Sequence, residues 1–170
     1  MSDVEFYQRL YGYNRQVIEN FLRKLERMPL KEATRNRGIG HLSLTRTLIH
    51  VIRVHDAWLN YLAAGDVEGL RASHKSFLKL RTPSEARRYF RETWKGVDAR
   101  IKKLTPKELR RSASAPWMPG RYTQADVLLQ CSFEQAHHLG EVIGAMWQKD
   151  LVPPQMMWIP VVTGKRVPVA

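Results

Sequence analysis

The segment Leu128-Leu129-Gln130-Cys131-Ser132-Phe133-Glu134-Gln135-Ala136-His137-His138-Leu139-Gly140-Glu141 lies inside a longer stretch of helical pattern, roughly Thr123 to Gln148. On a helix, residues three and four apart share a face. Glu134, His138 and Glu141 therefore point the same way, with Gln130 and His137 at the edges of that arc. A carboxylate and an imidazole one turn apart can share a metal ion, as the two histidines of a His-Glu-x-x-His helix do. The same pattern also describes the wet face of an amphipathic helix. Charge argues against that reading. The chain has 28 Lys and Arg in 170 residues, yet Tyr122 to Gln148 holds none. Apolar residues (Leu128, Leu129, Ile143, Met146, Trp147) occupy the other side. The helix is expected to be covered on both sides, its polar side facing a cavity.

Three further segments repeat the helical period. The first runs from a cap at Ser2 or Asp3 to about Met28, with Pro29 ending it. Phe6, Leu10, Tyr13, Val17, Phe21, Leu25 and Met28 form its apolar stripe. Pro29 to Gly40 reads as a basic loop. The second helix spans about Ser43 to Ala64 and stops at Gly65. His55 lies inside its apolar stripe (Leu44, Leu48, Val51, Trp58, Leu62), and His50 lies on the flank. Gly65 to Pro83 is irregular or holds one short helix. Ser84 caps a third helix reaching about Leu104. Thr105 to Arg121 is a linker with three prolines, and Thr123 caps the fourth helix. No run alternates convincingly as a strand. The expectation is an all-α four-helix bundle over residues 1–160 with long connections. Residues 161–170 form an extended tail, and Trp158 packs on the body.

Composition bounds the function. The length suits one domain with a sizeable core. A single cysteine, Cys131, excludes a disulfide framework and fits a reducing compartment; it reads as a buried structural residue. No stretch approaches 18 apolar residues, and the N-terminus lacks a basic flank and an apolar core. The expectation is a soluble, cytoplasmic protein without a membrane anchor. The formal charge of +12 permits attraction to nucleic acid or other anions.

Two stretches resemble the DinB-like superfamily, also called DinB/YfiT-like metalloenzymes. One is Ser43 through Ile52, continuing to Trp58-Leu59, which is similar to a family Leu-x-His-Ile/Val run followed by an aromatic. The other is Leu128 through Glu141 followed by Pro153-Pro154, similar to a family run with paired histidines before Gly-Gln/Glu. The resemblance implies a helical bundle, often dimeric, that binds a divalent metal such as zinc or nickel through three histidines. Some members are thiol S-transferases or isomerases that use low-molecular-weight thiols. Carried over by position, His50 matches the helix-two ligand and His138 the second histidine of a His-x-x-x-His pair. Glu134 stands where the first histidine of that pair is expected, Gln130 where another histidine is frequent, and Leu139 where an arginine is usual.

The residues and the resemblance together imply a metal site of His50, Glu134 and His138 between helices two and four. Glu141 is the candidate base or orienting group. A carboxylate in the set keeps zinc or nickel in view and admits manganese or iron(II). The function expected is a metal-dependent enzyme acting on a small molecule, thiol S-transferase-like or hydrolase-like, as a homodimer. The alternative is a metal-free bundle in which Glu134 and His138 pair with each other. Such a bundle would act as a binding protein, with Arg87, Arg91, Lys95 and Lys102 offered to nucleic acid phosphates.

Overall fold

In a computed structural model, which describes residues 1–164, the chain begins with α1 (Asp3–Glu26). Ser2 and Glu5 cap it reciprocally, satisfying two of the amide groups that a helix start leaves open. Its buried residues are Tyr7, Tyr11, Asn14, Val17, Ile18, Phe21, Leu22 and Leu25. The buried stripe is thus wider than expected and turned by one residue at its start, where Phe6 is exposed and Tyr7 is inside. Tyr11 is tolerated there because its hydroxyl donates to the Leu128 carbonyl at 3.1 Å.

Pro29 does not open a plain loop. It precedes a five-residue helix, α2 (Leu30–Thr34), that buries Ala33 under the next element. After a tight turn comes α3 (Leu44–His55), capped by Ser43. The chain stays helical to Ala64, but the winding changes: Asp56–Tyr61 is a π-helical turn and Leu62–Ala64 is 3-10. Gly65 ends the run at φ 78°, a left-handed conformation that glycine adopts without a Cβ clash. A short helix, α4 (Val67–Phe77), fills the next segment.

The third long helix is α5 (Pro83–Lys102). Its cap is Thr82, not Ser84. Thr82 and Glu85 form the reciprocal box, and Pro83 takes the first helical position, where its missing N–H costs nothing. Phe90, Trp94, Val97 and Ile101 enter the core. The expected linker is structured. It contains α6 (Pro106–Leu109) and an antiparallel hairpin of β1 (Ser112–Ala115) and β2 (Met118–Thr123). In β1 the buried alternation is carried by Ala113 and Ala115, which are too small to register as a hydrophobic pattern.

The fourth long helix, α7 (Gln124–Trp147), is capped by Thr123 as expected, with Asp126 completing a reciprocal box. It buries Val127, Leu128, Cys131, Leu139, Val142 and Met146. The tail is not wholly extended, because α8 (Trp158–Thr163) forms a short helix against α1. Trp158 does pack on the body, 5.1 Å from the Tyr13 ring, and the Tyr13 hydroxyl donates to the Met156 carbonyl. Residues 165–170 of the expected extended tail lie outside the described residues. The protein is a mostly α-helical bundle in which α1, α3, α5 and α7 enclose one core. Each large aliphatic or aromatic side chain fully buried there contributes about 1.5–3 kcal/mol relative to exposure. No helix among the described residues is long and apolar enough to cross a membrane.

Candidate metal centre

The pairing of α3 with α7 carries His50 toward His138. The two rings lie edge to face, 4.6 Å apart. A third imidazole joins them from outside the long helices. His41 stacks on His50 at 3.7 Å and stands 5.1 Å from His138. One ligand nitrogen from each of His41, His50 and His138 lies within 4.8 Å of the other two. All three residues are partly buried.

The turn before α3 positions His41. The Leu42 amide donates to the Ile39 carbonyl, and the Leu42 carbonyl accepts from the Arg37 amide. Leu42 itself has φ 73°. A branched side chain in the left-handed region costs about 1–2 kcal/mol, and such strain collects at functional sites. At the adjacent Gly40 a Cβ would meet the Glu141 carboxylate at 2.8 Å, so that carboxylate would have to move aside.

Two carboxylates flank His138. Nδ1 lies 2.9 Å from Glu141 Oε2, and Nε2 lies 3.3 Å from Glu134 Oε2. A neutral imidazole has one N–H and can donate to only one of them. Gln130 Nε2 donates to Glu134 Oε1 at 2.8 Å and orients that carboxylate. Burial, followed by the neighbouring His41 and His138 rings, holds His50 down at about 3. Burial and then His138 lower His41 as well. Both rings are therefore neutral near pH 7, with lone pairs free for a ligand, as metal coordination requires.

Of the residues expected in the site, His50 and His138 come together. Glu134 touches His138 but is not part of the three-nitrogen cluster, whose third place belongs to His41. Glu141 stands on the far side of His138, in an orienting position. His55 is fully buried elsewhere in the core, between the Tyr11 and Trp94 rings, with Nε2 3.0 Å from Gln135 Oε1. Burial lowers it to about 4. His137 is exposed, 3.9 Å from Glu141. Cys131 is buried, and burial pushes its thiol far up, so it offers no thiolate at neutral pH. Sequence reasoning missed His41 because loop residues have no period to place them. The available signal was position: one of only six histidines stands two residues before the cap of the helix that carries His50.

A cavity of about 850 Å³ opens beside the cluster, with His50, Gln130 and Glu134 in its lining. The polar flank of α7 thus partly faces a cavity as expected. Phe133, His137 and Trp147 of the same helix instead face solvent. The π-helical turn delivers Ala57 and Trp58 to the cavity wall. Such turns recur at functional sites. Of the expected basic stripe, Arg87 is tied to Glu26 at 2.7 Å.

No curated protein matches the chain at a significant level. A family model described as the DinB superfamily matches residues 13–142. That span includes α3, α5, most of α7 and all three clustered histidines, and with the helical bundle it shows that the chain belongs to the DinB superfamily.

Proposed function

We propose that the protein is a divalent-metal-dependent enzyme whose ion is held by His41, His50 and His138. The convergence of three imidazoles from a loop and two helices carries this reading. A metal-free bundle needs Glu134 and His138 as a pair, and that contact exists. It gives no use for His41 and His50, two neutral imidazoles stacked on each other next to His138. The donor set fits the ion: three imidazole nitrogens leave coordination open for water or substrate, as catalytic zinc sites do.

A bound divalent ion supplies Lewis acidity and lowers the pKa of a coordinated water or thiol. The chain supplies the rest. Glu141 Oε2, 2.9 Å from His138 Nδ1, is placed to accept a hydrogen bond from Nδ1–H and so to orient the ring and leave Nε2 as the donor atom for an ion. Glu134, oriented by Gln130, presents a carboxylate to the same space and is placed to take a proton from a group bound there. Trp58 and its neighbours keep bulk water from one side of the cavity. Zinc and nickel suit this imidazole set, with manganese and iron(II) less so now that Glu134 stands outside the cluster. The reaction class favoured is transfer to or hydrolysis of a small molecule, with a low-molecular-weight thiol as a candidate co-substrate. A homodimer through the exposed face of α7 is part of the same reading, supported by Phe133 and Trp147 at that surface.

Calorimetric titration of chelator-treated protein with zinc and with nickel tests the proposal. One ion per chain should bind, and His138→Ala should abolish binding while the protein stays folded. Undiminished binding by that variant would rule the site out.

A further inference from the structure

The cavity beside the histidine cluster has a chemistry of its own. Its walls are apolar and aromatic: Val54, Trp58, Leu70 and Phe77 on one side, Trp117 and Met118 from the hairpin on the other. The Trp58 and Trp117 rings meet edge to face at 5.8 Å, so the hairpin tip closes over the π-helical turn. α3 and α7 add His50, Gln130 and Glu134 to the lining. A second part of the lining carries Arg71, His74 and Lys75, which recur three and four residues apart on one face of α4. Arg71 and Lys75 are exposed, and neither has an ion-pair partner among the described residues. The other lining cation, Arg53, differs: it is buried and committed to Asp56, Ser73 and the Leu70 carbonyl. Among the described residues Glu134 is the one carboxylate in the lining, and it is held by Gln130 and His138.

An apolar slot with two uncommitted cations and no free carboxylate selects by charge as well as by shape. A neutral apolar molecule leaves Arg71 and Lys75 unused, and a cation is repelled by them. A small polar anion gains nothing from Trp58, Trp117 and Phe77. We propose that the cavity binds an organic anion with an aromatic or bulky aliphatic body, its carboxylate, phosphate or sulfonate at Arg71 and Lys75. The body packs against the wall that Trp58, Trp117 and Phe77 form, and its far part reaches His50. The last clause rests on the metal-centre reading above; the anion and body subsites do not. A volume near 850 Å³ is within the range of pockets that enclose such ligands.

Anilinonaphthalene sulfonate and its neutral counterpart N-phenylnaphthylamine share an aromatic body and differ by the anionic group. Each is titrated by fluorescence into chelator-treated protein and again with zinc present. The native chain should bind the sulfonate about tenfold more tightly than the neutral probe, and the preference should shrink with added salt. Arg71→Ala combined with Lys75→Ala should erase the preference and leave binding of the neutral probe intact. Trp117→Ala, at an exposed hairpin tip, should weaken both probes. Arg91→Ala combined with Lys95→Ala removes the same charge from α5, away from the cavity, and should change nothing. Equal losses from the two double variants would mean that only the overall charge attracts the anion, and would overturn the site. So would a preference that appears only with zinc and survives the Arg71 and Lys75 changes, since the metal would then hold the anion. Binding without zinc, as described, would stand even if the chain took up no metal.

Discussion

The Glu141 carboxylate lies against the backbone of Gly40, so close that a methyl group there would stand 2.8 Å from Oε2 and 2.9 Å from Oε1. The same oxygen, Oε2, holds His138 Nδ1 at 2.9 Å. One side chain thus braces the helix that bears His138 and touches the residue before His41. Gly40→Ala should displace Glu141 and misorient His138 with little effect on the core. The expected result is a loss of about 10–100-fold in zinc or nickel affinity, the range for removing an outer partner of a ligating histidine. The melting temperature of the metal-free protein should barely move. Calorimetric titration beside a thermal melt separates the two effects.

Buried His55 makes the fold sensitive to acid. Gln135 Nε2 donates to the Asn14 carbonyl, so Gln135 Oε1 accepts from His55 Nε2–H. His55 Nδ1 is left buried without a partner. Burial holds this histidine at about 4, against about 6.5 in an unfolded chain. As pH falls, the unfolded state takes up the proton first. The contribution is therefore full above about 6.5, is lost as pH drops toward 4, and is level below that. Its limiting slope is about 1.4 kcal/mol per pH unit. His50, depressed to about 3, adds a slope of the same sign. Urea unfolding between pH 7 and 4.5 should show stability falling with acid, and His55→Gln should flatten the dependence. An unchanged slope in the variant would place the titration elsewhere.

Asp56 opens the π-helical turn and anchors a buried polar network. Its carboxylate accepts from Arg53, Ser73, Tyr89 and Asn60 at 2.7–3.2 Å. Burial, and then the Asp56 charge, push the Tyr89 hydroxyl far above its ordinary value, so it remains a donor. Asp56→Ala would leave the Arg53 guanidinium buried without its counter-charge. Removing one partner of a buried pair costs about 3–5 kcal/mol. Denaturant midpoints for Asp56→Ala, with the exposed Arg15→Ala as a reference, measure this directly. The Arg15 pair with Glu19 and Asp98 is at the surface, where such contacts contribute about 0–1 kcal/mol.

Phe133 and Trp147 each stand seven residues from Gly140 on α7, and both are more than 60% exposed. Gly140 has open space at its Cβ position. A face with this spacing can meet its own copy across a two-fold axis. Phe133→Lys and Trp147→Lys should each convert a dimer to a monomer in light scattering, without altering metal stoichiometry. A native chain that is monomeric at high concentration would remove the dimer from the account.

The long helices were legible because burial imposes a period and each end carries a cap. Thr123 reads as a cap in the sequence, and Ser2 is one of the two caps it offers for the first helix; the structure adds their partners Asp126 and Glu5. Period also placed His55 in the core, where it is. Resemblance, not period, singled out His50 at the flank of that stripe, and the flank is the side that meets His138. Besides the cap of α5, which is Thr82 and not Ser84, and the short helices α2 and α8, three features that shape the site escaped. The π-helical turn changes the winding within an otherwise regular apolar stripe, and nothing in a 3.6-residue pattern announces it. The hairpin hides its alternation in alanines. His41 sits on a turn held by Ile39, Leu42 and Gly40, so its place beside His50 depends on tertiary packing that no local pattern encodes.

The membership of His41 in the metal site is the claim on which the account turns. Elemental analysis of untagged protein, purified without chelator, tests it when native chain is compared with His41→Ala and Glu134→Ala. About one zinc or nickel is expected per native chain, with loss of the ion in His41→Ala and retention with reduced affinity in Glu134→Ala. Full metal content in His41→Ala with none in Glu134→Ala would contradict it and give the third ligand position to the carboxylate.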